Sequence, residues 1–142
     1  MNCKMKELFA FINDIPPQVN ISAPPDIKDL DKEHILENLC FKNAYYVATL
    51  LSGAKIIEGL IIANASGKAH RHAWNFYKGE HFDLSHEVIW SKNDEFKTRP
   101  LLKYLAIYSY DLSDFKEQDA FEFSTLTISL VDEINTVIQK SL

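Results

Sequence analysis

Two cysteines in 142 residues, Cys3 and Cys40, are too few to staple a fold, and they form no Cys-x-x-Cys pair of the kind that binds zinc or cycles as a dithiol. No stretch approaches the roughly 20 apolar residues that a bilayer-spanning helix needs. The start Met1-Asn2-Cys3-Lys4-Met5-Lys6 leads only into a short apolar patch at 8–12 with no small-residue cleavage site after it, so no secretory leader is expected. Positive charge is scarce as well. Fifteen Lys and Arg against twenty Asp and Glu leave a net charge of −5, and the interspersed signs build no basic stripe to hold a nucleic-acid backbone. These absences predict one globular domain over 1–142 in a reducing, cytoplasmic setting, with neither a membrane nor a nucleic acid as partner. Export of the folded chain as an effector would leave no mark in such a sequence.

What is present divides into an arm, helices, strands and a last helix. A first helical stretch is predicted over 4–12. Pro16-Pro17 and Pro24-Pro25 then bracket an extended segment, because proline breaks helices and fixes an extended or turning backbone; residues 1–30 are expected to form an arm on the surface. From Asp31 the spacing of Ile35, Leu36 and Leu39, then Ala44, Tyr45, Val47, Ala48 and Leu51, is helical and closes at Gly53. The pattern fits one long helix or two with a break near Cys40. Residues 55–64, rich in isoleucine, predict a strand, 65–68 a turn, 69–77 a second strand, Lys78-Gly79-Glu80 another turn, and 81–85 a third strand. Beyond Pro100, 103–111 alternates as a fourth strand, with Ser113 placed to cap a short helix. Leu126, Leu130, Ile134, Val137 and Ile138 give the tail an amphipathic helix. The fold class is therefore α+β: N-terminal helices packed on an antiparallel sheet of about four strands, then a C-terminal helix.

Three residues in this frame carry the makeup of a nucleophile, a base and a group that orients the base. Cys40 attacks only as thiolate, and its ordinary pKa of about 8.5 must fall. The dipole and free N–H groups of a helix N-terminus would lower it, provided that the helix begins at Cys40. His72 can take and return a proton near neutrality. On its strand it shares a face with His70, Trp74 and Phe76 by the period of two. Asp83 can orient the imidazole only if it lies on that face of the next strand. A two-residue loop at Lys78-Gly79 or Gly79-Glu80 meets that condition. The first of these sets Trp74 opposite Asp83 and Ser85 opposite His72, leaving the acid a diagonal neighbour at about 7–8 Å between backbones. A three-residue loop would put Asp83 on the wrong face. For the oxyanion of an acyl-transfer intermediate, the backbone N–H of Cys40 is the first candidate donor, with Asn38 and Asn43 as side-chain candidates.

The order Cys40, then His72-Ala73-Trp74, then Asp83 after a glycine-containing turn resembles the core of the transglutaminase-like branch of the papain-like cysteine protease superfamily, which also resembles the arylamine N-acetyltransferases. The resemblance spans residues 40–85. It implies a helix headed by the nucleophile Cys40, packed on an antiparallel sheet that carries the base His72 and the orienting acid Asp83 on adjacent strands, with Trp74 as the aromatic after the histidine. The run Cys40-Phe41-Lys42-Asn43-Ala44 and the pair Glu58-Gly59 are similar to small bacterial and phage proteins of this type. Two departures stand out: the interval from Cys40 to His72 is short, and Leu84 follows the aspartate where a small residue or proline is usual. The implied activity is that of a cysteine hydrolase or acyltransferase on an amide, peptide or thioester bond. Its substrate would be a peptide, protein or small amide, and it would need no cofactor.

Each residue also has a plainer role. Cys40 suits a buried helix position, Asp83 a turn, Trp74 a core, and Glu58 before Gly59 a bulge or strand end as readily as a pocket. His70, His72, His81 and His86 invite a metal, yet no glutamate follows His-x-His at short spacing, Glu80 lying past a turn; no metal is expected. The competing function is a non-catalytic interaction module that keeps the fold and its groove. Burial of the Cys40 sulfur separates the two.

Overall fold

The computed structural model describes residues 7–8, 18–36, 39–63, 69–89 and 102–114. Their order is β1 (Glu7–Leu8), β2 (Gln18–Val19), a 3-10 turn (Lys32–His34), α1 (Cys40–Leu50), β3 (Lys55–Ala63), β4 (Ala69–Tyr77), β5 (Glu80–Phe82), α2 (Leu84–Val88), β6 (Leu102–Asp111) and a second 3-10 turn (Leu112–Asp114). The class is α+β, as predicted. The sheet has six strands in the order β1-β6-β3-β4-β5, with β2 also pairing with β6, and every named pairing is antiparallel.

Several expectations are corrected. Glu7–Leu8 is a strand on β6 and not part of a helix over 4–12. Of the two patterns that the spacing from Asp31 allows, the structure takes the one with a break before Cys40, with only a 3-10 turn at Lys32–His34 ahead of it. Leu36 is held instead by the Asn43 side chain, whose Oδ1 accepts from Leu36 N–H and whose Nδ2 donates to Leu36 O, both at 2.8 Å. Those side-chain bonds meet the backbone needs of Leu36 without a helical ladder, and Leu39 sits at φ −123°, ψ 48°, outside the helical region. The third strand ends at Phe82 rather than Ser85. The Asp83 carboxylate accepts from His86 N–H at 3.2 Å and starts α2, a side-chain cap that stops a strand and opens a helix. Ser113 lies inside a 3-10 turn that Asp114 closes by accepting from Asp111 N–H. The turn at 65–68 and the tail helix over 124–140 fall outside the described residues.

α1 lies on one face of the sheet. Its buried side, Ala44, Val47 and Ala48, packs over Ile56, Ala73, Tyr110, Phe82 and Leu84. Asn75 Nδ2 donates to Ala44 O at 2.9 Å and ties the helix to β4. The other face gathers Ile57, Ile61, Trp74, Tyr104 and Ala106, with Val19, Ile21 and Phe76 packed against them. This second face is concave. Val19 pairs with Tyr104 on the outer edge of β6, and Ile21, two residues on, bridges His81 of β5, with Ser22 N–H donating to His81 O at 2.8 Å. In a flat sheet the position outside β6 that Val19 occupies and the position outside β5 that Ile21 occupies would lie five inter-strand steps apart, about 24 Å, whereas two residues of chain span only about 7 Å. The sheet must therefore curl until its edges meet across residues 19–21.

Two local features set the geometry of the site. Lys78 and Gly79 take φ values of 49° and 81°, the paired positive values of a type I′ hairpin. The hairpin sets Tyr77 opposite Glu80 and Asn75 opposite Phe82, the register that the Lys78-Gly79 loop predicts. On the other side of β3, Glu58 opposes Tyr108 while Gly59 opposes Ala106. Ile107 is thus the extra residue of a bulge, and side-chain alternation along β6 reverses there.

Candidate active site

The structure brings Cys40, His72 and Asp83 together where β4 loses its neighbour. β5 covers β4 only from Asn75 to Tyr77. Beyond Phe82 the chain turns into α2, which leaves a gap beside Ala73 and His72. Cys40, the first residue of α1, reaches the gap from the helix side. His72 reaches it from the concave side, stacked at 6.0 Å on Trp74.

His72 Nε2 lies 2.8 Å from Asp83 Oδ2, with both side chains buried. The thiol of Cys40 lies beside the same ring, close enough for each group to shift the ionisation of the other. Because Nε2 is committed to Asp83, Nδ1 is the nitrogen that the thiol can address. The Ala73 backbone also favours the ionised sulfur. Odd-numbered residues of β4 point their N–H toward the β5 side, so the early end of β5 releases the Ala73 N–H for this use.

The electrostatics follow from this arrangement. Burial pushes the Cys40 thiol up, but the hydrogen bond from His72, the charge of His72 and the Ala73 N–H outweigh burial and the nearby Asp83 charge; the net shift is downward. Burial pulls His72 down, while Asp83, by charge and hydrogen bond, and then Cys40 raise it to about 10. Burial likewise raises Asp83, and His72, the Tyr104 hydroxyl and the His86 N–H together bring it below its ordinary value. A thiol lowered beside an imidazole raised favours a thiolate–imidazolium pair at neutral pH.

Cys40 is a free, half-buried thiol. It lines an open cleft of about 170 Å³ together with Leu36, Asn43, Arg71, His72, Ser85 and Ile89. Cys40 therefore borders a cleft and is not wholly enclosed in the core. The N-cap residue of α1, Leu39, makes no side-chain cap bond, and Cys40 as the first helical residue lies at the end where free N–H groups favour an anion.

The remaining candidates take other places. Both Nδ2 hydrogens of Asn43 are spent, one on Leu36 O and one on Ser85 Oγ at 2.9 Å; Asn43 builds the helix start and orients Ser85 instead of facing the cleft as a donor. Asn38 lies outside the described residues. Glu58 is buried under α1 and accepts from Tyr110 OH at 2.9 Å, and with Gly59 it marks the bulge. Trp74 is buried on the concave face, edge-on to Tyr104 at 5.2 Å between centroids. Its Nε1–H donates to His81 Nδ1 at 3.0 Å. That bond requires an unprotonated nitrogen, consistent with burial lowering His81 to about 4.

Three contributors were not foreseen: Tyr104, whose OH donates to Asp83 Oδ2 at 2.6 Å, and Ser85 and Arg71 on the cleft wall. A count of alternation from Tyr110 misplaces Tyr104, since the bulge at Ile107 lies between them. Ser85 had a sequence signal, as the residue that the Lys78-Gly79 loop sets opposite His72.

Among the described residues no group of three or more His, Cys, Asp and Glu is placed to hold a metal ion. His72 Nε2 and His81 Nδ1 are taken by Asp83 and Trp74. Nor is any described helix long and apolar enough to cross a membrane. In comparisons with known proteins, no family model, no curated protein and no solved structure matches this chain.

Proposed function

We propose that this chain is a cysteine-dependent acyl-transfer enzyme, a hydrolase or amine acyltransferase acting on an amide, peptide or thioester bond, with the papain-like core that the resemblance of residues 40–85 implies. The observation that carries the proposal is the buried Asp83–His72 pair set beside Cys40, whose thiol it shifts downward and which borders an open cleft. A buried structural cysteine would need none of these partners.

In this account the Cys40 thiolate attacks the carbonyl carbon and the C–S bond forms as the carbonyl π pair moves to oxygen. The backbone N–H of Cys40 meets that charge, joined by the Ser85 hydroxyl, which Asn43 holds at the cleft wall. As the oxyanion collapses, the His72 imidazolium gives its proton to the departing amine or thiol, and an acyl thioester remains on Cys40. His72, now neutral, takes a proton from water or an amine that resolves the thioester, while Asp83 keeps the imidazole in one tautomer. The cleft is below the roughly 300 Å³ at which small-molecule pockets usually begin, which favours a single amide group presented on a longer chain.

Iodoacetamide labelling at neutral pH followed by peptide mapping tests the proposal. Fast labelling at Cys40, slowed ten-fold or more in His72→Ala, is expected; slow labelling that ignores His72 supports the interaction module instead. A peptide library scored by mass change then separates hydrolysis, deamidation and amine transfer.

A further inference from the structure

Tyr104 is buried on the concave face, and its hydroxyl donates to Asp83 Oδ2 at 2.6 Å, the same oxygen that meets His72 Nε2 at 2.8 Å. We propose that Tyr104 is a positioning residue for the acyl-transfer site, pinning the Asp83 carboxylate against His72 from the far side of the curled sheet. The inference rests on the Cys40-His72-Asp83 proposal above and extends it to a fourth side chain.

The contact is built by several independent features. Tyr104 belongs to β6 and Asp83 follows β5, and these strands are separated by β3 and β4 in the sheet. Only the curl closed by residues 19–21 brings them within reach. The bulge at Ile107 turns Tyr104 inward. Gly59 leaves the floor between them open: a Cβ there would sit 2.8 Å from Trp74 Cη2 and collide with the Leu105 carbonyl oxygen. Trp74 fills that space and holds the phenol edge-on.

The carboxylate is thus fixed at three points. Oδ2 takes His72 and Tyr104, and Oδ1 takes the His86 N–H. Without Tyr104 the carboxylate could turn about its remaining bonds, and its charge would lose a short donor of the strong, charge-assisted kind. The groups facing Asp83 are His72 from β4, Tyr104 from β6, the His86 N–H from α2 and the Cys40 thiol from α1; His81 on β5 is neutral and bonded to Trp74.

The test is the pH profile of Cys40 alkylation by iodoacetamide in the intact chain, which needs no knowledge of the substrate. Tyr104→Phe keeps the ring and removes only the donor. The acidic limb of the profile is expected to move up by roughly one pH unit, the scale of one hydrogen bond to a charged group. Adding Tyr104→Phe to Asp83→Asn should move it no further, because the tyrosine acts through that carboxylate. Superimposable limbs in Tyr104→Phe, or an equal shift in the Asp83→Asn background, overturn the inference while leaving His72-dependent labelling intact; labelling independent of His72 overturns both proposals. If Tyr104→Phe does not fold, proton NMR of the wild-type chain decides. A downfield Tyr104 hydroxyl proton with a cross-peak to the His72 Nε2 proton supports the contact, and absence of that pair rejects it.

Discussion

Asp83 serves two structures at once, because one carboxylate oxygen orients His72 while the other caps α2. The two duties can be separated by substitution. Asparagine caps helices about as well as aspartate, whereas alanine does not. Asp83→Asn should therefore remove the charge beneath His72 while sparing the cap, and Asp83→Ala should lose both. Urea denaturation is expected to place Asp83→Ala about 1 kcal/mol or more below Asp83→Asn, although both slow Cys40 alkylation. Ser85 allows a different separation. Its hydroxyl is assigned to the oxyanion and not to the thiol, so Ser85→Ala should leave the alkylation rate within about two-fold of wild type. Turnover of any substrate found should fall on the order of 100-fold, the usual effect of losing one oxyanion donor. Slowed alkylation in Ser85→Ala would move the serine into the activation of the thiol.

At the scale of elements, the hairpin and the bulge decide which side chains meet. The type I′ turn at Lys78-Gly79 fixes the register of β4 against β5, and a register slip of one residue exchanges the two faces of a strand. Inserting one glycine after Gly79 is expected to carry Asp83 away from His72 and reduce Cys40 alkylation to the rate of His72→Ala, as measured under the same labelling conditions. Gly59→Ala tests the other face. Its Cβ would meet backbone at Leu105 as well as the Trp74 ring, and backbone cannot step aside cheaply; destabilisation at or above about 3 kcal/mol is expected in chemical denaturation. The sequence showed the first device and hid the second. Lys78-Gly79 between alternating strands is a local turn signal, and parity alone then relates Asp83 to His72. The bulge at Ile107 has no such signal, because isoleucine suits a regular strand equally well, and strict alternation would put Tyr104 on the face of Tyr110. The break before Cys40 was one of two patterns the apolar spacing allowed, since the Asn43 clamp on Leu36 is a tertiary choice that periodicity does not carry.

For the whole molecule, the curl of the sheet joins fold and site. Residues 18–22 looked like a featureless part of a proline-bounded arm, yet they tie β6 to β5 and enclose the cluster around Trp74. Nothing local in that segment announces a strand, because its two short pairings exist only once the sheet has curled. Closure also half-buries His81, which gives the fold a dependence on pH. The His81 value in the folded chain, about 4, lies below the roughly 6.5 of an unfolded histidine. The unfolded chain therefore binds this proton more readily, and the stability associated with a neutral His81 is present in full above about pH 6.5 and lost as pH falls toward 4. Asp83, also lowered, adds its own loss at more acidic pH. Thermal melts should show Tm declining from pH 6.5 to pH 4, with a flatter decline in His81→Gln, whose amide oxygen can still accept from Trp74. The central claim is that this fold activates Cys40, and a pH titration of thiolate ultraviolet absorbance in a Cys3→Ser background measures it most directly. The account predicts that Cys40 ionises well below the ordinary value of about 8.5 and returns to or above it in His72→Ala; ionisation at or above that value with His72 in place would contradict it.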